Sequence, residues 1–333
     1  MKAEFERHKC TILLYPERRD VWRKGARLIR ETVARLAEII ARFEPVFLGY
    51  SGKNIPEITP YDQLKTFEVN YNDIWVRDTG GVPVDKDELA VFKFDAWGGL
   101  YGSVAKDLTV AEAIARQCGL KCKKSGIVTE GGNLVSDGNG TLLAIKESIQ
   151  KRNPLPLEEI EKELRRVLNV KHIVWLERGL IYDETGGHVD NLCVFADRNT
   201  VLLSWTDDKN NPQYPIVKEA LEVLGQEKNT DGKEYKIIKV PMPDIFHRTE
   251  EDCDGIELRD DSKNRLAGEP IQASYINFAF ANGAVIVPQF GVKQDKEALK
   301  VFEEVFEART VIPFEAREIV LGGGGIHCVS RNI

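Results

Sequence analysis

The sequence has no apolar run that approaches the roughly 18 residues a membrane-spanning helix needs. Its opening segment, MKAEFERHKC, is charged and lacks the apolar core of a secretory signal peptide. Together, these two absences predict a cytoplasmic protein with no membrane partner.

Basic residues are fewer than acidic residues in this sequence. The chain has 46 Lys and Arg residues against 53 Asp and Glu residues, which gives a net charge of -7 at pH 7. A nucleic-acid-binding protein normally presents a basic face, so we expect no nucleic-acid partner. The acidic balance is compatible with a small cationic substrate, although net charge mainly affects solubility and electrostatic steering.

Cysteine is sparse, with six residues in 333, which excludes a disulfide-dense scaffold and predicts free thiols. Compact metal-binding motifs such as HExxH or paired CxxC are missing, so we expect no metal site. Most of the cysteines are expected to be packing residues. The six cysteines are Cys10, Cys118, Cys122, Cys193, Cys253 and Cys328.

What the sequence does contain is a repeated glycine element followed by a hairpin-like stretch. It occurs at Gly80-Gly81, Gly131-Gly132 and Gly186-Gly187, whose starts lie 51 and 55 residues apart, in degenerate form at Asn282-Gly283, and finally at 322–325. A helical segment lies in each interval between the first three copies. Repetition of a hairpin and a helix predicts units stacked around an axis, in one domain over residues 1–333.

Apolar periodicity predicts helices over residues 21–43, 104–118, 157–167, 214–224 and 295–306, the last with Asp295 as its N-cap. Short runs rich in Val, Ile, Leu and Phe predict strands over residues 11–15, 91–94, 141–145, 191–195, 201–204, 276–280 and 284–288. The polar segment 249–268 is predicted to be a solvated surface loop, with a lid as the alternative.

Polar clusters accompany the glycines. Residues 72–80 read NDIWVRDTG, 130–133 read EGGN, 183–191 read DETGGHVDN and 322–328 read GGGGIHC. Strand alternation would place the side chains of His188 and Asp190 on one face. A cysteine and a distant histidine that folding brings together form a nucleophile–base pair, and an imidazolium lowers the pKa of a nearby thiol. Cys328 and His188 are the candidates.

The carboxylates of Asp78, Glu130 and Asp190 would add an acidic pocket, which suits a planar cation with several N–H donors, such as a guanidinium. Such a pocket would repel the oxyanion that develops in acyl transfer, so this set of residues favours attack on a cation. Taken singly, each residue has an ordinary structural explanation. Asp78 could pair with its neighbouring arginine, Trp75 could be a core aromatic, and Glu130 and Asp190 could cap turns.

Taken together, the motifs NDIWVRDTGG, EGGN, ETGGHVDN and GGGGIHC resemble those of the agmatine deiminase and bacterial peptidyl-arginine deiminase family, within the guanidino-group-modifying superfamily. The similarity extends from the first residues to Cys328. It implies an α+β pentein fold, with five ββαβ-type units around a pseudo-fivefold axis and the active site in the central channel.

The resemblance also implies roles for individual residues. Cys328 is the nucleophile, His188 the general acid and base, Asp78 and Asp190 the guanidinium-binding carboxylates, Glu130 a further acidic residue, and Trp75 the aromatic wall of the pocket. Glu184 is our candidate for binding the distal amine of the substrate. No cofactor is implied, because the thiolate and the carboxylates supply what the reaction needs.

The implied reaction is hydrolysis of a guanidinium to a ureido group and ammonia through a covalent thiouronium on cysteine, with agmatine converted to N-carbamoylputrescine. Alternatives in the same class are deimination of free or peptidyl arginine, and amidino transfer to an amine. Alternatives in other classes are a zinc hydrolase that uses His188, Asp190, His327 and Cys328, and a non-catalytic binding protein on the same scaffold. For quaternary structure, a homodimer is the default expectation.

The chain departs from the family pattern at two glycines. Gly81 stands where proline is common, and Gly325 stands where asparagine is common. These changes put the identity of the substrate in question more than the type of reaction.

Overall fold

The computed structural model describes residues 1–52 and 55–333. Over these residues, the strands form five sheets of three or four strands and one two-stranded ribbon. In chain order, the strands are β1 (Thr11–Leu14), β2 (Val46–Tyr50), β3 (Leu64–Glu68), β4 (Val82–Pro83), β5 (Glu88–Lys93), β6 (Lys121–Val128), β7 (Val135–Ser136), β8 (Thr141–Ile145), β9 (His172–Leu176), β10 (Cys193–Asp197), β11 (Thr200–Trp205), β12 (Lys236–Pro241), β13 (Phe246–His247), β14 (Pro270–Ile271), β15 (Ala279–Ala281), β16 (Ala284–Gln289), β17 (Thr310–Glu315) and β18 (Ser330–Asn332).

The helices vary from single turns to fourteen residues. They are α1 (Arg27–Ile40), α2 (Val76–Thr79), α3 (Ala96–Gly99), α4 (Val110–Cys118), α5 (Lys146–Gln150), α6 (Leu157–Leu168), α7 (Val189–Leu192), α8 (Tyr214–Gln226), α9 (Asp295–Val305) and α10 (Arg317–Val320). Short 3-10 turns cover Asp107–Thr109, Gly131–Asn133 and Glu251–Cys253, and a left-handed turn covers Lys24–Ala26. In the described part of the chain, every helix is too short or too polar to cross a membrane.

Each of the five larger sheets repeats one unit. A first strand pairs antiparallel with a second strand, and after a helix a third strand pairs parallel with the second. The sheets are β18-β1-β2 (extended by β3), β4-β5-β6, β7-β8-β9, β10-β11-β12 and β15-β16-β17. This arrangement confirms the predicted repeat of hairpin and helix, and its five units match those that the family resemblance implies.

The first unit joins strands that are distant in sequence. β18 pairs antiparallel with β1, where Thr11 lies opposite Asn332, and β1 pairs parallel with β2, where Thr11 lies beside Val46. Because Cys328 comes two residues before β18, this ladder fixes the backbone that carries it.

Helix α6 shows why these segments fold as they do. Its apolar residues recur at helical spacing, and Ile160, Leu164 and Val167 are fully buried. Acidic residues in its first turn and basic residues in its last turn complement the helix dipole. Each fully buried Leu, Ile or Val contributes about 1.5–3 kcal/mol relative to an exposed side chain. The helix predicted over residues 157–167 is therefore confirmed for the expected reason.

The other predicted helices are also present, but two of them begin later than expected. The segment 21–43 becomes α-helical only at Arg27, because Lys24–Ala26 adopt φ values of 53°, 63° and 67°, which an α-helix does not accommodate. The segment 104–118 becomes α-helical at Val110, after a 3-10 turn.

Asp295 is predicted to be the N-cap of α9, but it is the first residue of the helix. The N-cap is Gln294. The Asp295 carboxylate accepts hydrogen bonds from the backbone N–H groups of Phe290 (3.1 Å) and Gly291 (2.8 Å) and from the hydroxyl of Tyr275 (2.6 Å). Its side chain therefore holds the loop that leaves β16 and does not cap the N–H groups of its own helix.

The strand predicted to begin at residue 191 is wrong at its start. Residues 189–192 form the single-turn helix α7, and β10 begins at Cys193. The Asp183 carboxylate accepts hydrogen bonds from the backbone N–H of His188 and from the side-chain amide of Asn191, both at 3.0 Å, and these bonds hold the segment as a turn. The strand alternation expected for His188 and Asp190 does not apply here.

The prediction that Asn282-Gly283 is a degenerate copy of the glycine element is wrong in register. Gly283 has a φ of 82° and forms the hairpin turn between β15 and β16. The other glycine elements come before the first strand of their unit, and the corresponding position of this unit is Asn277, just before β15.

Gly49 in β2 tests the packing of the first unit. A Cβ at this position would lie 2.6 Å from Cδ2 of Leu14 and 2.7 Å from Cγ1 of Val69. We expect Gly49→Ala to lower the free energy of unfolding by about 1–3 kcal/mol, because overpacking forces neighbouring side chains out of their preferred rotamers. Urea denaturation followed by circular dichroism measures the change.

Gly126→Ala is the matched control. Gly126 also lies in a strand, and apart from its chain neighbours no atom of residues 1–52 and 55–333 comes within 4 Å of its Cβ position. This change should leave the stability equal or slightly higher. Equal losses in the two variants would contradict the packing around Gly49.

Candidate active site

The segments that precede the first strand of each unit converge on one place. They carry Asp78 (α2), Glu130, His188 and Asp190 (α7), Asn277, and Cys328. A Cβ on Gly132 would lie 2.5 Å from Nδ1 of His188, 3.0 Å from Oδ1 of Asp78 and 3.1 Å from Oδ2 of Asp190. The histidine and both aspartates therefore face the same glycine, and any side chain at that position would displace them.

His188 is completely buried between two carboxylates. Its Nε2 lies 3.2 Å from Oε2 of Glu130, and its Nδ1 lies 3.9 Å from Oδ2 of Asp78 with no hydrogen-bond partner among the described residues. Burial alone would lower the pKa of His188, but the charge of Asp78 and the hydrogen bond to Glu130 outweigh it and raise the pKa to about 9. His188 is an imidazolium at neutral pH, and its Nδ1–H is free for a ligand.

Glu130 belongs to an ion pair that the sequence did not reveal. Nη2 of Arg152 donates to Oε2 of Glu130 at 2.6 Å, and Nη1 of the same guanidinium contacts the other oxygen. Burial would raise the pKa of Glu130, but the Arg152 hydrogen bonds and charge lower it to about 2. Glu130 is a permanent anion that orients His188, and the cavity described below does not expose it.

Asp78 has both oxygens occupied by neutral donors. Oδ1 accepts from the backbone N–H of Gly132 and Oδ2 from the indole N–H of Trp97, each at 2.9 Å. Burial, with the nearby charges of Glu130 and Asp190, raises the pKa of Asp78 even though His188 opposes the shift. A second cation beside this carboxylate would therefore be strongly favourable.

Only one carboxylate oxygen of Asp190 has a hydrogen-bond partner among the described residues. Its Oδ2 accepts a hydrogen bond from Nδ1 of His327 at 2.7 Å and lies 3.8 Å from Sγ of Cys328. Its Oδ1 is buried and has no partner within the described chain. A buried, unsatisfied carboxylate oxygen beside a thiol is an acceptor site for the N–H group of a ligand.

Cys328 is buried, and its Sγ lies 3.4 Å from Oδ1 of Asn277. Burial, followed by the charges of Asp190 and Asp78, raises the pKa of Cys328 well above its usual value. The free protein thus holds a protonated thiol. No sequence motif marks Asn277, and the signal that points to it is the fivefold repeat, in which Asn277 precedes β15 as the glycine elements precede the first strands of the other units.

A cavity opens onto this cluster. Its lining includes Trp75, Asp78, Trp97, Tyr101, Glu184 and Cys328. The glycines of residues 322–325 allow its walls to approach one another. A Cβ on Gly322 would lie 1.9 Å from the Trp22 ring, and a Cβ on Gly324 would lie 2.5 Å from the Trp75 ring.

Glu184 lies in the wall of the cavity with two cations. Its Oε1 is 3.2 Å from Nζ of Lys263, and its Oε2 is 2.7 Å from Nη2 of Arg265. Both cations come from segment 249–268, which was predicted to be a solvated loop. The prediction is wrong for Arg265, which is only 6% exposed because it packs into this wall.

The residues proposed for a zinc site do not form one in this conformation. Nδ1 of His327 is 2.7 Å from Asp190, and its Nε2 is 2.7 Å from Oε2 of Glu4, so carboxylates occupy both ring nitrogens. Across residues 1–52 and 55–333, no group of three or more His, Cys, Asp or Glu side chains has metal-binding geometry.

The charge on His188 predicts a pH-dependent stability. Because folding raises its pKa from 6.5 to about 9, the imidazolium stabilises the fold fully below pH 6.5, and this contribution is lost as the pH rises through about 9. We expect the difference in unfolding free energy between the wild type and His188→Asn to fall by about 3 kcal/mol across that range. Urea denaturation of both proteins at each pH measures it, and a constant difference would contradict a charged His188.

Comparison with known proteins identifies relatives along the whole chain. The sequence profile of the Porphyromonas-type peptidyl-arginine deiminase family matches residues 1–333. A putative agmatine deiminase of Latilactobacillus sakei is 39% identical, with 100% of this chain and 95% of the relative covered. The agmatine deiminase of Ectopseudomonas mendocina is 37% identical, with 99% of this chain and 94% of the relative covered.

Solved structures agree with this grouping. The agmatine deiminase of Enterococcus faecalis superimposes with a TM-score of 0.94 at 30% identity, covering 100% of this chain and 94% of that chain. DDAH from Pseudomonas aeruginosa superimposes with a TM-score of 0.55 at 14% identity, covering 98% of this chain and 100% of that one, and supports the pentein fold alone. The resemblance and the fold inferred from the sequence are thus confirmed, and the chain belongs to the Porphyromonas-type peptidyl-arginine deiminase family.

Proposed function

We propose that this protein hydrolyses agmatine to N-carbamoylputrescine and ammonia, with Cys328 as the nucleophile. The observation that carries the proposal is the convergence of a thiol, an imidazolium and two buried carboxylates, with the thiol of Cys328 and the carboxylate of Asp78 lining one cavity. The relatives named agmatine deiminases support agmatine as the substrate.

The carboxylates explain why a guanidinium would enter. Asp78 has a raised pKa in its buried position, and Asp190 has one oxygen without a partner among the described residues. A guanidinium presents N–H donors in one plane and can bond to carboxylates on two sides. Trp75, in the same cavity, offers a flat face to the cation.

The bound cation would also activate the nucleophile. Its positive charge offsets Asp78 and Asp190, which otherwise oppose ionisation of Cys328, so the thiol releases its proton to solvent. The thiolate then attacks the guanidinium carbon and forms a C–S bond. His188 donates its Nδ1 proton to the departing nitrogen, the C–N bond breaks, ammonia leaves, and a thiouronium remains on Cys328.

Water completes the reaction. His188, now neutral, takes a proton from the water whose oxygen bonds to the thiouronium carbon. The C–S bond breaks and returns the thiolate, the hydroxyl proton is lost to solvent, and the ureido product leaves. His188 is again an imidazolium, ready for the next turnover.

Free arginine is a second candidate substrate because the wall of the cavity contains cations. Lys263 and Arg265 line it, and Nε of Arg265 is buried without a partner in the described chain. These groups suit an α-carboxylate, whereas Glu184 suits the distal ammonium of agmatine. We favour agmatine because the relatives in Ectopseudomonas mendocina and Enterococcus faecalis are named agmatine deiminases.

We further propose that residues 1–333 act as a single catalytic domain. The main hydrophobic cluster takes buried residues from all five units, including Leu13, Leu89, Leu143, Val201 and Ile286. A core shared in this way does not divide at any linker.

Ammonia release tests the reaction. Wild-type protein should release ammonia from agmatine faster than from arginine or an arginine peptide in side-by-side assays. Cys328→Ala should abolish release while circular dichroism stays unchanged, because no other thiol adjoins the carboxylates in the described chain. Cys122→Ala, a half-buried thiol in β6, is the matched control and should retain full activity. Turnover by Cys328→Ala would refute the nucleophile.

Glu184→Gln tests recognition of the distal amine. Loss of a charged hydrogen bond should raise the KM for agmatine by roughly 10- to 100-fold. The KM for butylguanidine, which has the same carbon chain but no ammonium, should not change. Glu219→Gln, an exposed carboxylate paired with Arg178, serves as the control. Equal KM changes for both substrates would remove Glu184 from this role.

A further inference from the structure

His327, the neighbour of the proposed nucleophile, is enclosed between two carboxylates. Its Nδ1 lies 2.7 Å from Oδ2 of Asp190, and its Nε2 lies 2.7 Å from Oε2 of Glu4. The imidazole is 2% exposed. Both bonds are short, and they run from opposite edges of one ring, so the ring cannot rotate without losing both.

Glu4 is itself fixed by a fully buried arginine. Nη1 of Arg77 lies 2.5 Å from Oε1 of Glu4, and Nε of Arg77 donates to the backbone carbonyl of His327 at 3.1 Å. Nη2 of Arg77 donates to Oδ1 of Asn332 at 3.2 Å. The guanidinium thus holds both the carboxylate and the main chain of the histidine.

Both ring nitrogens can donate only when His327 is protonated. Burial and the nearby charge of Arg77 would each lower its pKa, but Glu4 and the hydrogen bond to Asp190 outweigh them and raise it. The contacts of both ring nitrogens with carboxylate oxygens at 2.7 Å, like the raised pKa, favour the protonated ring. Removing the ring would leave Asp190 as a buried carboxylate with no cation in contact.

The contact determines which oxygen of Asp190 a ligand can use. His327 occupies Oδ2, and Oδ1 has no partner among the residues described. A carboxylate without this bond would be free to rotate about its last torsion, which is broad and intrinsically soft. A displacement of about 1 Å in a group that orients substrate costs on the order of 100-fold in rate.

We propose that His327 is a positioning residue that holds Asp190 for the substrate guanidinium, and that Glu4 and Arg77 hold His327 in place. This inference rests on the proposed function, since it concerns one of the carboxylates that would bind the substrate. It makes the segment around Glu4, which is distant in sequence from every glycine motif, part of the catalytic apparatus.

Graded variants test the inference. His327→Ala removes both contacts, and it should raise the KM for agmatine, lower kcat and reduce kcat/KM by about 100-fold. His327→Asn retains an amide donor near the position of Nδ1 and should recover part of this loss. Glu4→Gln keeps an acceptor for the ring but removes the charge, so its loss of kcat/KM should be smaller than that of His327→Ala.

His172→Ala is the matched control, because Nε2 of His172 also lies 2.7 Å from a carboxylate, that of Glu227, at the periphery. Its kinetic constants should equal those of the wild type. If His327→Ala loses rate only in proportion to its folded fraction and keeps the wild-type KM, His327 is merely structural and the inference fails.

Two observations separate this inference from the proposed function. If wild-type protein released no ammonia from any guanidine, the proposed function would fail on its own. The crystal structure of His327→Ala does not depend on turnover, and in it the Asp190 carboxylate should be rotated or displaced while Asn277 stays in place. An unmoved Asp190 carboxylate would overturn the positioning role.

Discussion

Repulsion between the buried carboxylates and the thiolate that Cys328 would form governs this site. Burial and the charges of Asp190 and Asp78 keep Cys328 protonated in the free protein. The same burial raises the pKa of Asp78. A cation that binds between the two carboxylates would stabilise the ionised forms of both Asp78 and Cys328. The site therefore favours a cation before any specific contact with the rest of the ligand is made, and under the proposed function binding of the cation would promote ionisation of Cys328.

The surrounding protein limits that repulsion without removing it. Arg152 keeps Glu130 ionised, and the Glu130 carboxylate in turn holds His188 as an imidazolium. On the other side, Glu4 and Asp190 contact the two ring nitrogens of His327 and favour its protonated form. His188 contacts Glu130 through Nε2, and His327 contacts Asp190 at Oδ2, so Oδ1 of Asp190 and Nδ1 of His188 have no partner in the described chain and are available to a ligand.

The fivefold repeat brings these groups together because every unit contributes the segment before its first strand. Glycine is required where such segments meet. At Gly132, a side chain would collide with His188 and both aspartates, and at Gly325 a Cβ would lie 2.3 Å from Oδ1 of Asn277. The departure from the family pattern at Gly325 therefore has a local cause, which is the close approach of Asn277.

Much of the site could be predicted from the sequence, because Asp78, His188, Asp190 and Cys328 adjoin glycine motifs and are of the types that guanidinium chemistry needs. Asn277 escaped because no glycine marks it. The contact between Glu4 and His327 spans 323 residues, and no local pattern encodes such a pairing.

The strand predicted around His188 and Asp190 is wrong for a different reason. Asp183 hydrogen-bonds the chain into a turn, and the side-chain bonds prevail over strand propensity.

The most direct test of this account is a crystal structure of Cys328→Ala with agmatine bound, because agmatine has a cation at each end. The account predicts that the guanidinium lies between Asp78 and Asp190, with its carbon facing residue 328 and its ammonium toward Glu184. A guanidinium bound outside this cluster, or an ammonium in its place between the two aspartates, would contradict it.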